Sequence, residues 1–209
     1  THHPFHWRQW WDFAGGTLAD IGCHYIDLSH WALNLRHPSK IKVIDGPKPD
    51  NEYTPQSLVV DFHYKEIGKQ PKTKLRWYHG KSRPPHFSEG ILPNWGNGCL
   101  FIGNKGMLLA DYNKHLLLPE KDFKDFQKPE PSIPKSIGHH QEWIDAIKTG
   151  SETTCNFDYS GPLTEVVLLG NIAHRTNTPI VWDHKKMKAT GQSQADEFIN
   201  HQYSKGWEL

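Results

Sequence analysis

The stretch from Gly15 to Leu35 constrains the fold most, because its pattern is helical from end to end and carries two separate faces. At about 100° per residue, Leu18, Ile21, Tyr25, Leu28, Ala32 and Leu35 share one arc, the apolar stripe by which a helix docks on a core. A second stripe holds Gly16, Asp20, His24, Asp27 and Trp31. Asp20 and His24 stand one turn apart and can therefore act on the same small object. Glycine inside a helix costs about 1 kcal/mol relative to alanine, so Gly16 and Gly22 mark places where a ligand or a second backbone comes close.

After this helix the period falls to two. Ile41 and Val43, then Leu58, Val60, Phe62 and Tyr64, then Leu75 and Trp77 alternate with polar or charged neighbours, the pattern of half-buried strands. Three more short strands are expected over 99–102, 107–112 and 115–118, with turns at Gly103-Asn104-Lys105-Gly106 and Asn113-Lys114. Gly80 to Gly98, rich in proline, reads as an excursion over a face or an edge, and 119–137 as an external connection. Helices return over His139–Thr149, with Trp143, Ile144 and Ile147 on one side, and from Ser160 to Asn177, where Pro162 is placed early. A last strand is expected over 179–183 and a short helix over 195–200.

The fold class expected is α+β: an open, mostly antiparallel mixed sheet with helices packed on one face. The expected organisation is one substrate-binding and oligomerisation domain over 1–209, made of a leading loop (1–14), the helix (15–35), the sheet (39–118) and the helices with the final strand (138–209). A chain of 209 residues suits that reading.

Charge narrows the partners. Lys plus Arg (24) nearly balances Asp plus Glu (23) with no long basic run, which argues against nucleic acid and an anionic membrane surface. No apolar run approaches the about 18 residues of a membrane span. Cys23, Cys99 and Cys155 form no Cys-x-x-Cys pair, so neither a disulfide framework nor a structural zinc site is expected. Nine tryptophans are many for this length; they suit an aromatic core or a sugar-stacking surface.

Three chemistries compete for the polar stripe. Asp20 and His24 suit acid–base work, the carboxylate orienting a ring that exchanges protons near neutral pH; the plain alternative is a solvated Asp–His face. Zinc held by Asp20, His24 and a third histidine such as His79 or His86 has the right donors, but the chain lacks His-Glu-x-x-His and any Cys cluster, and no metal is expected. Gly96-Asn97-Gly98 is followed by Phe101 where a third glycine is needed, so the dinucleotide fingerprint is absent. A Gly-x-Ser-x-Gly elbow is absent too.

The run Gly15 to Asp27 resembles the Gly-Gly-x-Leu-x-Asp-x-Gly-x-His-x-x-Asp signature of the glucose-fructose oxidoreductase and inositol dehydrogenase (Gfo/Idh/MocA) family. Trp7-Arg8-Gln9-Trp10, Phe101 to Gly106, His140 to Ile144, Asn156 to Glu165 and Gly206-Trp207 look like one bacterial branch of it. The resemblance implies the family's C-terminal domain, whose N-terminal Rossmann partner binds NAD or NADP and carries a catalytic lysine; both are expected to lie outside this chain. It implies an oxidoreductase acting by hydride transfer on a hydroxyl of a sugar, polyol or glycoside, with a redox-assisted glycosidase and a non-catalytic sugar-binding or assembly module as alternatives. By the same resemblance Asp20 orients the substrate, His24 is the acid–base residue and Asp27 supports them. Gly16 and Gly22 would let the cofactor approach, while Trp7, Arg8, Trp10, Trp77, Tyr78 and His79 would line a sugar pocket. A homo-oligomer through the sheet, an exported (periplasmic) location and an inactive isolated fragment complete the expectations.

Overall fold

The computed structural model describes residues 4–200 and 203–207. It is α+β, and the chain divides into two compact units, Thr1–Cys99 with Pro162–Leu209, and Leu100–Gly161.

In the first unit, α1 (Gly16–Ala32) leads into β1 (Lys40–Asp45), β2 (Leu58–Tyr64) and β3 (Thr73–His79). A four-residue helix, α2 (Pro85–Ser88), interrupts the proline-rich excursion. The sheet is antiparallel at β1–β2, β2–β3 and β1–β7, with β7 (Ile180–Asp183) and the two-residue β8 (Lys188–Ala189) completing the order β3-β2-β1-β7-β8. Register pairs Ile41 with Phe62 and Ile180, and Phe62 with Leu75. Leu58, Val60 and Phe62 are thereby buried on one face together with Ile41 and Ile180. The helix α4 (Phe157–Arg175, its residues up to Gly161 in the second unit), buried almost continuously from Val166 to His174, and α5 (Ser193–Ile199) follow. A Cβ built on Gly170 of α4 would meet Leu18 of α1 at 2.5 Å and the Phe62 ring at 3.0 Å, so the three elements meet where only glycine fits.

The second unit holds the expected meander, β4 (Cys99–Ile102, its first residue in the first unit), β5 (Met107–Ala110) and β6 (His115–Leu118). These form their own three-stranded sheet. The strands expected as one sheet over 39–118 therefore fall into two, and β7, distant in sequence, joins the first beside β1. The unit also holds α3 (His139–Thr149), which ends at Gly150 in the left-handed region (φ 72°) as its sequence predicts. Trp143, Ile144 and Ile147 stay exposed on α3.

Two expectations about helices need correction. The buried residues of α1 are Gly16, Leu18, Gly22, Ile26, Ser29 and His30, whereas Ile21 and Ala32 are exposed and Tyr25 and Leu28 only half-buried. The core stripe is thus rotated by roughly a quarter turn from the one hydrophobicity selects, because Gly22 is buried by close packing and His30 by enclosure. The helix expected from Ser160 starts at Phe157: the Asn156 side chain accepts the Tyr159 N–H at 3.2 Å and caps it. Pro162 consequently sits in the second turn, where its missing N–H forgoes one bond.

Candidate active site

His6–Gln9 forms a 3₁₀ turn, and the Trp10 carbonyl then accepts from the N–H groups of Phe13 and Ala14, steering the chain into α1. Arg8 projects from this turn with its guanidinium over the Phe5 ring (5.4 Å) and the Trp7 ring (5.1 Å). Its Nε–H donates to Asp20 Oδ2 at 2.9 Å, so the carboxylate is oriented from outside the helix by a charge-assisted bond. His24 is exposed one turn further along α1, about 6 Å of rise away. Asp27 is half-buried on the same side, and Trp31 is largely open to solvent. Cys23 lies between these groups, its thiol pushed above the ordinary range by burial and then by the Asp27 and Asp20 carboxylates.

A loop beneath holds the segment. Asp50 Oδ1 accepts the N–H groups of Glu52 and Tyr53, each at 2.8 Å, which lowers its pKa. The turn so made offers its backbone to the segment: Trp11 N–H donates to Glu52 O (2.9 Å), Thr54 N–H to Gln9 O (2.8 Å) and the Trp11 indole to Asp50 O (3.0 Å). The Trp10 ring rests on Tyr53 with centroids 4.2 Å apart. Thr54, itself buried, fills the space beside Gly16, where an added Cβ would lie 2.4 Å from Oγ1. Gly16 also has φ +67°, which favours glycine independently of the space. Gly22 faces Val167 of α4, 2.8 Å from the position a Cβ would take. Both glycines thus admit neighbours from their own chain.

Arg8 and Asp20 are brought into contact, with Trp7 stacked on Arg8, Trp10 two residues on and His24 one turn along. Trp77 and His79 are not part of this surface. Both are 8% exposed, in the core of the sheet, the Trp77 indole donating to His79 Nδ1 at 2.7 Å. Strand alternation sends Tyr78 to the opposite face. The three residues expected to line a pocket with Trp7, Arg8 and Trp10 therefore separate, because a strand cannot present neighbours i and i+1 to one side. Asp50, Tyr53 and Thr54 were not singled out by sequence reasoning; an Asp followed two and three residues on by the amides it accepts was the signal available. Among the described residues no three His, Cys, Asp or Glu side chains assemble to hold a metal ion.

No curated protein matches the chain. Among solved structures, YvaA of Bacillus subtilis, a proposed oxidoreductase, is similar with 13% identity and a TM-score of 0.45 over 85% of this chain and 53% of its own. This chain thus spans about half the length of that protein. Residues 1–69, which contain Arg8, Asp20, His24 and the loop beneath them, match the family model described as oxidoreductase family, C-terminal alpha/beta domain (GFO_IDH_MocA_C2).

Proposed function

We propose that this chain supplies the substrate side of an NAD(P)-dependent oxidoreductase acting on a hydroxyl of a sugar, polyol or glycoside. The observation that supports it is the exposed Asp20–His24 face of α1, with Arg8 closed on Asp20, inside the region that matches an oxidoreductase family. In this reading His24 accepts the proton of the substrate hydroxyl, and Asp20, held in one orientation by Arg8, receives a hydrogen bond from a neighbouring hydroxyl. Trp7, stacked on Arg8, offers a ring face to the C–H side of a sugar. NAD(P) supplies the hydride acceptor when bound. Since Thr54 and Val167 fill the space at Gly16 and Gly22, the groups that hold it belong to the N-terminal half that such a protein adds.

The test uses the full-length protein with NAD(P) and a panel of free sugars, polyols and synthetic glycosides. His24→Ala is expected to lower turnover about 10²–10⁴-fold without changing the circular dichroism spectrum. Turnover that survives His24→Ala would overturn the assignment. Net release of aglycone without net NADH would replace the dehydrogenase by a redox-assisted glycosidase.

A further inference from the structure

Two buried histidines, His79 on β3 and His174 on α4, lie beneath the segment that carries Arg8, and the mechanism above uses neither. Both ring nitrogens of His79 are engaged. An indole N–H is a donor only, so the Trp77 Nε1–H bond to His79 Nδ1 (2.7 Å) fixes the neutral tautomer with its hydrogen on Nε2. That Nε2–H donates to the Pro55 carbonyl at 3.1 Å. His174 is 2% exposed and places Nε2 3.1 Å from the Pro47 carbonyl, an acceptor only, so this nitrogen also carries hydrogen. Its Nδ1 is buried with no hydrogen-bond partner among the described residues. The two carbonyls bracket the loop whose Asp50, Glu52 and Thr54 backbones hold Gln9 and Trp11. Arg8 adjoins Gln9 in the chain.

We propose that His79 and His174 are positioning residues, a proton-sensitive clamp that seats residues 47–55 and through them keeps Arg8 beside Asp20. A proton added to His79 Nδ1 would set one N–H against the Trp77 N–H, two donors head to head, and would place a charge in the core. On His174 the added charge would sit buried at a nitrogen with no acceptor, under the Trp11 ring 6.5 Å away. Among the described residues, the group that acts electrostatically on His79 is His174, which opposes a second charge, and no carboxylate acts on either ring to favour it. Burial holds both histidines below the ordinary range, outweighing the carbonyl bonds that favour the charged form. The clamp is therefore closed at neutral pH and opens on acidification, freeing the leading segment. Only its consequence for Asp20 rests on the function proposed above.

Hydrogen–deuterium exchange on the full-length protein, corrected for the intrinsic rate, tests this without requiring turnover. Peptides covering 5–13 and 47–56 are expected to lose about 10-fold in protection between about pH 7.5 and about pH 5, while β2 and the centre of α4 keep theirs. In His79→Gln/His174→Gln each side-chain amide still offers a donor toward its carbonyl but does not titrate, so the acid response should vanish. Trp77→Phe frees His79 Nδ1 to take a proton and should move the opening midpoint to higher pH, a reading that holds even where the double variant does not fold. Equal protection at both pH values in the wild type, an acid response that survives in the double variant, or an unmoved midpoint in Trp77→Phe would each overturn the clamp. His24→Ala is expected to lower turnover as above yet leave the exchange response intact, so failure of the clamp and failure of the proposed chemistry are separable.

Discussion

At the scale of single residues, Asp20 is set by Arg8, and Arg8 by the two rings it lies against and by the 3₁₀ turn beneath it. The pair is well exposed, so its worth is orientation more than stability. Arg8→Ala is accordingly expected to change the unfolding free energy by less than about 1 kcal/mol while lowering kcat/KM in the proposed reaction about tenfold; Arg8→Lys, which keeps the charge but loses the planar donor, should recover little of it. Steady-state kinetics alongside urea melts check both halves. Gly16 is the opposite case, buried and conformationally committed. Gly16→Ala forces a φ of +67° on a residue with a Cβ and drives that atom into Thr54. A loss of about 2–4 kcal/mol is expected by chemical denaturation. The glycine's importance was legible in the sequence, but its reason was not, because Thr54 reaches it from a distant part of the chain.

At the scale of elements, α1 shows how far a hydrophobicity pattern reaches. Its extent, 16–32 against an expected 15–35, follows from local periodicity and the turn residues that flank it. Which face is buried does not, because Gly22 and His30 score as weakly apolar or polar yet lie against α4 and within the core. The α1–α4 contact at Gly22 and Val167 can be measured as a coupling. Gly22→Ala alone is expected to destabilise, and adding Val167→Ala should cost less than the sum of the two single changes, since the methyl that clashes is then gone. For α4, Asn156→Ala removes the cap on Tyr159 and should cost about 1 kcal/mol, read from the thermal midpoint. The first turn of α4 is hidden in the sequence because proline usually opens a helix, and here the Asn156 cap, upstream of Pro162, does so instead.

At the scale of the whole molecule, buried titratable groups set a window of stability in pH. His79 and His174 have lowered pKa values in the folded state, so the unfolded chain binds more protons once pH falls below the ordinary histidine value of about 6.5. Their contribution is full above that value and is lost as pH falls through the folded pKa values. Cys23 and Cys99 have raised values, chiefly by burial. Above the ordinary thiol value of 9.0 the unfolded chain loses protons first, and stability falls again. Thermal melts across pH should therefore give a plateau between these limits, its acid side made shallower in His174→Gln, where His79 alone of the pair still takes up a proton on unfolding.

The sequence alone determined most of the helices and strands and the spacing of Asp20 and His24: strand alternation, helical period and end signals are local, and that spacing is a property of one helix. Tertiary structure alone decided that β7 pairs with β1, that the meander forms a sheet of its own, and that Trp77 and His79 are buried, with Trp77 bonded to His79 and His79 to the Pro55 carbonyl. It also decided which carboxylate Arg8 holds. Each of these depends on contacts between residues far apart in the chain, where packing and hydrogen-bond geometry choose among many partners of equal local promise.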